Sequence, residues 1–341
     1  MSEARPRPKR FNGKKAVSIF LQAVILGLLI WYFLQNRDVF AALKNVTWQA
    51  VLVIILLEFA SFVVNSYLNY SMIRRFDRRV SFLDCFLLQY VNNLLNKILP
   101  TVGGGAAFRA VYLKQKYQFP YTRFTSTVAG LYTISFFSTA LIAITCLLII
   151  YARYQVFNWV IFLAFSGILL VTVAVILFSP EVPPSERRML KALRSVIEGW
   201  KILKKDLGAV LLYTLLTITL LTLAALHNLV VYQALGENPN PVAVIYLSTL
   251  GILMAFLNFT PDGIGVKEGI LIFSKDLVQI PDSVLVLGSI ILRAISIFTT
   301  FSMGGISYWV LMKRMKSLQL DPGEVNHKIA GDPDSDPVRQ K

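Results

Sequence analysis

The chain has 341 residues and a formal net charge of +15, yet only 16% of its residues are charged, 55% are hydrophobic, and its mean hydropathy is +0.60. A soluble domain carries about 25% charged residues, so this composition excludes an ordinary water-soluble enzyme and makes lipid the solvent of most of the chain. The positive charge lies in short Lys/Arg clusters between apolar runs, without an RNP, zinc-finger or helix-turn-helix signature, which argues against a nucleic-acid partner.

The basic segment 1–15 precedes an apolar run over 16–34. That run exceeds the apolar core of a signal peptide and no small-residue cleavage site follows it, so it reads as a retained first span. An apolar run of about 20 residues crosses a bilayer as a helix. Five further runs qualify: 50–73, 126–151, 156–178, 207–235 and 283–312. Between them, Arg74, Arg75, Arg78 and Arg79 follow the second span, and Lys114, Lys116 and Arg123 precede the third. Arg187 to Lys205 supply the loop after the fourth, and Lys313, Arg314 and Lys316 follow the sixth. The alternate connections hold Arg37, Lys44, Arg153 and Lys275 only. The positive-inside rule then places both termini in the cytoplasm of a multi-pass plasma-membrane protein.

Two stretches fit no simple span. Segment 81–119 is broken by Leu-Pro-Thr-Val-Gly-Gly-Gly-Ala-Ala-Phe-Arg at 99–109, and segment 241–280 by Asn-Phe-Thr-Pro-Asp-Gly-Ile-Gly-Val-Lys-Glu at 258–268. Proline and clustered glycine end helices, and irregular backbone at membrane depth survives only inside protein or beside a wet cavity. Each stretch is expected to be a re-entrant hairpin of two half-helices; two short spans with a kinked junction are the alternative. The order span, span, hairpin, span then occurs twice, over 16–155 and 156–312, starting from opposite faces. The expected fold is an all-α polytopic membrane protein, an inverted repeat of about six transmembrane helices plus two re-entrant hairpins. Within segment 180–206, Leu190, Leu193, Val196, Ile197, Trp200 and Leu203 recur at helical spacing among Lys and Arg. This predicts an amphipathic cytoplasmic helix, either lying among anionic headgroups or packed on the protein's own loops. The polar tail 313–341 is expected to be disordered.

Gly103, Gly104 and Gly105, and likewise Gly263 and Gly265, precede helical-looking stretches. Half-helix N-termini at the midplane would present unpaired N–H groups to an anion, with Arg109 and Lys267 adding positive field. Tight packing of the hairpin tips is the plainer use of the same glycines. Arg109, Lys267, Glu268, Arg293 and Glu58 all lie in apolar surroundings. Each costs about 2.5–3.5 kcal/mol at the bilayer centre if unpaired, so they should face a cavity or one another. Arg109 and Glu268 hold matching places in the two hairpins and are expected partners, with Arg109 as headgroup ligand and Glu268 as counter-ion or coupling carboxylate; a buried structural ion pair is the plainer alternative. Glu58 reads as a proton carrier or a hydrogen-bonded neutral carboxyl. Asn93, Asn96 and Asn258, with Asn92, flank the breaks and are expected to satisfy carbonyls freed by Pro100 and Pro261, with ligand contact as the alternative; Asn65, His227 and Asn228 are lesser candidates.

Cys85 and Cys146 have neither metal-ligand spacing nor a pairing context and read as packing residues. No HExxH, P-loop or Ser-His-Asp set is present, so no metal, cofactor or catalytic residue is expected. The partners expected are membrane lipids with anionic headgroups, and a homodimer is one option for assembly. The segments 93–109 and 259–268, the latter with Gly-Ile-Gly-Val-Lys-Glu, resemble the signature regions of the lysylphosphatidylglycerol synthase transmembrane (flippase-like) family. The resemblance runs from the first span to Met312 and implies translocation of a lipid, namely an anionic phospholipid, a polyprenyl phosphate or a glycolipid. With about 25 residues after the last span, the family's aminoacyl-transfer domain is not expected. The chain departs from the family's pattern at Ala106 and Ala107, where an acidic residue is frequent, and near Leu131, where an arginine is usual; Arg293 keeps that arginine in the second copy. The other readings are an intramembrane enzyme acting on a lipid phosphate and a scaffold that transports nothing.

Overall fold

A computed structural model describes residues 46–75, 77–98, 104–179, 188–251, 253 and 265–317. The expected first span, Gly103, Asn258, Gly263 and residues 318–341 lie outside the described residues. Every element within them is a helix: α1 (Trp48–Arg74), α2 (Phe82–Ile98), α3 (Gly104–Tyr117), α4 (Tyr121–Tyr154), α5 (Trp159–Phe178), α6 (Arg188–Leu203), α7 (Leu207–Ala234), α8 (Pro241–Thr249), α9 (Val266–Phe273), α10 (Lys275–Val278) and α11 (Asp282–Ser317). Five of them, α1, α4, α5, α7 and α11, are long and apolar enough to cross a membrane, so the chain is an all-α polytopic membrane protein.

The helices start where the sequence supplies caps. Thr47 accepts from the Ala50 N–H, Asn158 from Ile161, Asp206 from Ala209 and Asn240 from Val242, each satisfying a donor that the first turn leaves open. Their outer faces invert the pattern of a soluble protein. On α5, Leu163, Leu170 and Leu177 are 63%, 71% and 68% exposed, as expected of side chains that meet acyl chains. Trp48 and Trp159 stand exposed at one end of the spans and Trp309 at the other, matching interfacial aromatic belts.

The core is a set of interdigitated helix pairs. α1 packs on α7; α2 packs on α1 and α11; α8 packs on α7 and α4; α4 also meets α7, and α11 also meets α1. The amphipathic helix α6 lies on the protein and not apart from it. Ile197, Trp200 and Leu203 are buried with Met72, Ile134 and Tyr213, and the Trp200 indole donates to the Ile176 carbonyl at 3.2 Å. At its crossing with α4 the backbones touch, because a Cβ on Gly199 would stand 1.9 Å from the Ser126 carbonyl oxygen. Packing on the protein is therefore the outcome for the buried face of α6. Residues 313–317, expected in the tail, continue α11 instead. Leu311 and Met315 are buried with residues of α2 and α3, and Arg314 reaches Asp84.

Asp84 is the densest polar junction of the fold. Its carboxylate is fully buried and accepts from Lys116 Nζ at 2.5 Å, from Arg314 Nη1 at 2.6 Å and from the Tyr117 hydroxyl. The Ser81 N–H donates in turn to the Tyr117 oxygen at 3.3 Å. One carboxylate thereby joins α2, α3 and α11 at the basic end of the bundle. A buried charge is tolerable here because three donors replace its hydration.

Candidate functional site

The spans enclose three adjoining cavities, which we number from the Arg109 end. The first, of about 320 Å³, is lined by Asn65 and Asn69 of α1, Gln89 and Asn92 of α2, Arg109 of α3, Tyr132, Ser135 and Thr139 of α4, and Thr217 of α7. The second, of about 380 Å³, shares Asn65 and Gln89 with the first and adds Glu58, Ser61, Asn93, Asn96, Lys97, Ser296 and Thr300. The third, of about 320 Å³, shares Glu58, Lys97 and Ser296 with the second and adds His227, Asn228, Ser248, Lys267, Ser289 and Arg293. Because neighbouring cavities share walls, they form one file of polar side chains. On α1 its lining runs from Ile54 to Asn69. Fifteen residues at 1.5 Å each is about 22 Å, against a hydrocarbon thickness of about 30 Å.

Local structure explains why these positions are polar. In a helix, residues three and four apart share a face. Glu58, Ser61, Asn65 and Asn69 therefore make one stripe down α1, whose other faces carry exposed Leu52, Leu56 and Phe59. Gln89, Asn92, Asn93, Asn96 and Lys97 form the matching stripe on α2.

At the Arg109 end the guanidinium is half-buried. Its Nη1 donates to Asn69 Oδ1 at 2.5 Å, and its charge lies 5.9 Å from the Phe124 ring centroid. Its Nε is sealed from solvent and has no hydrogen-bond partner among the described residues. Gln89 Oε1 is in the same condition. Arg109 is the one charged side chain lining this cavity among the described residues. An arginine facing a polar hollow suits an acceptor-rich anion.

At the other end Glu268 is buried and pairs with Arg293 at 3.1 Å, accepts from Ser289 Oγ at 3.0 Å, and caps its own helix by accepting from the Gly265 N–H at 2.8 Å. The expected Arg109–Glu268 pair does not form: Arg109 turns to Asn69 and Glu268 to Arg293. The physical reason is register. α9 packs on α11, which brings Arg293 beside Glu268, whereas α3 packs on α2. Gly265 has φ +82°, a conformation that favours glycine.

Gly105 and Gly265 serve packing and capping. A Cβ on Gly105 would stand 2.2 Å from the Asn92 carbonyl oxygen, so this glycine lets α3 lie against α2. Its N–H donates to Asn96 Oδ1 at 3.0 Å. Asn96 Oδ1 therefore satisfies a helix N–H, while Asn93 Nδ2 donates to the Gln89 carbonyl at 3.3 Å. With the amides of Gly105 and Gly265 engaged, the cations Arg109, Lys97, Lys267 and Arg293 carry the positive field of the file.

Sequence reasoning passed over Gln89, Ser135, Thr139, Thr217, Ser289 and Lys97, and ranked Asn65, His227 and Asn228 low, though all line the file. Their signal was the recurrence of polar residues at helical spacing within spans otherwise apolar. No group of His, Cys, Asp and Glu able to hold a metal exists among the described residues.

The fold and the file together define a polytopic helical membrane protein with a charged interior. Residues 19–304 match the family of the lysylphosphatidylglycerol synthase TM region, and the chain belongs to that family. It is also similar to a UPF0104 membrane protein of Methanocaldococcus jannaschii, at 21% identity over 323 residues, covering 88% of this chain and 96% of the relative. No solved structure matches the chain.

Proposed function

We propose that the protein moves an anionic lipid headgroup across the bilayer, along the polar file, while the acyl or prenyl chains stay in lipid. The observation that carries this reading is the file itself. It bears a cation at each end, runs about 22 Å along α1, and its middle is walled by amides and hydroxyls together with Glu58 and Lys97. Polar side chains at this depth are costly and mark pathways. Membership of a family whose name refers to a lipid synthase supports a lipid substrate. In this reading the protein lies in the plasma membrane with both termini cytoplasmic, oriented by its basic clusters, and acts as a transporter without catalytic residues.

Alternating access would follow from an inverted repeat. The packing supports one: exchanging α1 with α7, α2 with α8 and α4 with α11 converts the pairs α1·α2, α2·α11 and α4·α7 into α7·α8, α8·α4 and α11·α1, all of which are contacts in the fold. The pair α1·α7 maps onto itself. Rocking one repeat against the other would open the file to each face in turn.

Reconstitution of the full chain in liposomes holding headgroup-labelled phosphatidylglycerol tests this. The expected result is movement between leaflets well above that of protein-free vesicles, and faster than for labelled phosphatidylcholine. Phosphate release instead would make the protein an enzyme acting on a lipid phosphate; neither outcome, with the protein folded, would make it a scaffold.

A further inference from the structure

Resting on the reading above, we propose that Glu58 is a proton-binding site at the neck of the file, and that an anion passing it takes one proton with it. Among the described residues Glu58 is the one acidic side chain lining any of the three cavities. It sits where the second and third meet, together with Lys97 and Ser296, so nothing travels between Arg293 and Arg109 within the file without passing its carboxylate.

The groups around it set its chemistry. From α2, Lys97 lies within electrostatic range, as does Tyr90. From α11, Ser296 and Thr299 are within hydrogen-bonding reach, and Arg293 lines the same cavity. From α7 His227 shares that cavity, and from α9 Lys267 does. No titratable residue of α4 lines either cavity that Glu58 lines, among the described residues.

When Glu58 is ionised, its charge lies within electrostatic range of Lys97. An anion arriving about 5 Å away would meet a repulsion of roughly 3 kcal/mol at an effective dielectric constant of 20. Protonating Glu58 removes that repulsion. The proton comes from hydronium at either mouth: one of its O–H bonds breaks, leaving water, as an O–H bond forms on the carboxylate. A headgroup of charge −1 then crosses as an electrically neutral pair with its proton. Coupling at this position makes an imposed pH gradient a driving force for asymmetry of the anionic lipid.

Calorimetric titration of the detergent-solubilised full chain with dihexanoyl-phosphatidylglycerol, in buffers of different ionisation enthalpy, counts the protons. Wild type should take up about one proton per lipid bound above the titration of Glu58, with affinity falling about tenfold per pH unit there. E58Q should take up none and bind without that pH dependence. E58D, which restores a carboxylate, should regain the uptake. Equal uptake in wild type and E58Q, absence of uptake in wild type, or absence of binding overturns the proposal. Proton-linked binding without lipid movement in vesicles sinks the transport reading alone, and movement indifferent to a pH gradient sinks the coupling alone.

Discussion

Arg109→Ala is expected to slow movement of labelled phosphatidylglycerol in liposomes by tenfold or more, while the melting temperature in detergent stays close to wild type. The side chain supplies the positive charge of its cavity among the described residues, and the hydrogen bond from Nη1 to Asn69 holds it in place. A hydrogen bond to a charged group is worth about 1.5–3 kcal/mol, which corresponds to roughly ten- to a hundredfold in affinity or rate. Folding should survive because no carboxylate among the described residues pairs with Arg109: Glu268 has Arg293. Arg109→Lys should recover only part of the rate. An ammonium keeps the charge but cannot hold Asn69 and also present a planar fork to a phosphate. Unchanged movement in Arg109→Ala would remove this cavity from the path.

Asp84→Ala should do the reverse, lowering stability by about 2–3 kcal/mol, read as a fall in melting temperature in detergent. The variant leaves Lys116 and Arg314 facing each other without their common acceptor. Breaking a buried pair on one side costs about 3–5 kcal/mol. The lower value applies because Lys116 and Arg314 remain 24% and 38% exposed, and water screens part of the loss. Asp84→Asn, which keeps one acceptor oxygen, should cost less. Equal melting of wild type and Asp84→Ala would mean that the packing of α2 on α11 holds this end of the bundle without the ionic junction.

The spans were legible because their signal is one-dimensional. An apolar run of about 20 residues has one stable form in lipid, and the expected 50–73 and 156–178 correspond to Trp48–Arg74 and Trp159–Phe178. Glu268, Arg109 and Glu58 were also legible, since a charge in an apolar run must face a cavity or a partner. Their partners were not. Matching positions in two hairpins suggested Arg109 for Glu268, but the choice is made by which helices pack, and α9 lies on α11. Asp84 escaped notice although it too is an acid in an apolar stretch. Its partners stand 32, 33 and 230 positions away, beyond the reach of any local pattern. The file was the least legible feature. Asn65, Gln89, Ser135 and Thr217 are single polar residues on four helices, and each alone looks like a tolerated hydroxyl or amide. Only packing sets them in line.

Solvent access along the file is the direct test of the whole account. In a background with the buried Cys85 and Cys146 replaced by alanine, single cysteines at Ser61, Asn65 and Thr217 should react with a charged, membrane-impermeant methanethiosulfonate applied to vesicles, and anionic lipid should slow the reaction. Cysteines at Leu163 and Leu170, which face acyl chains, should stay unreactive. If the cysteines at 61, 65 and 217 proved as inert as those two, the interior would be dry and closed, and no headgroup could cross through it.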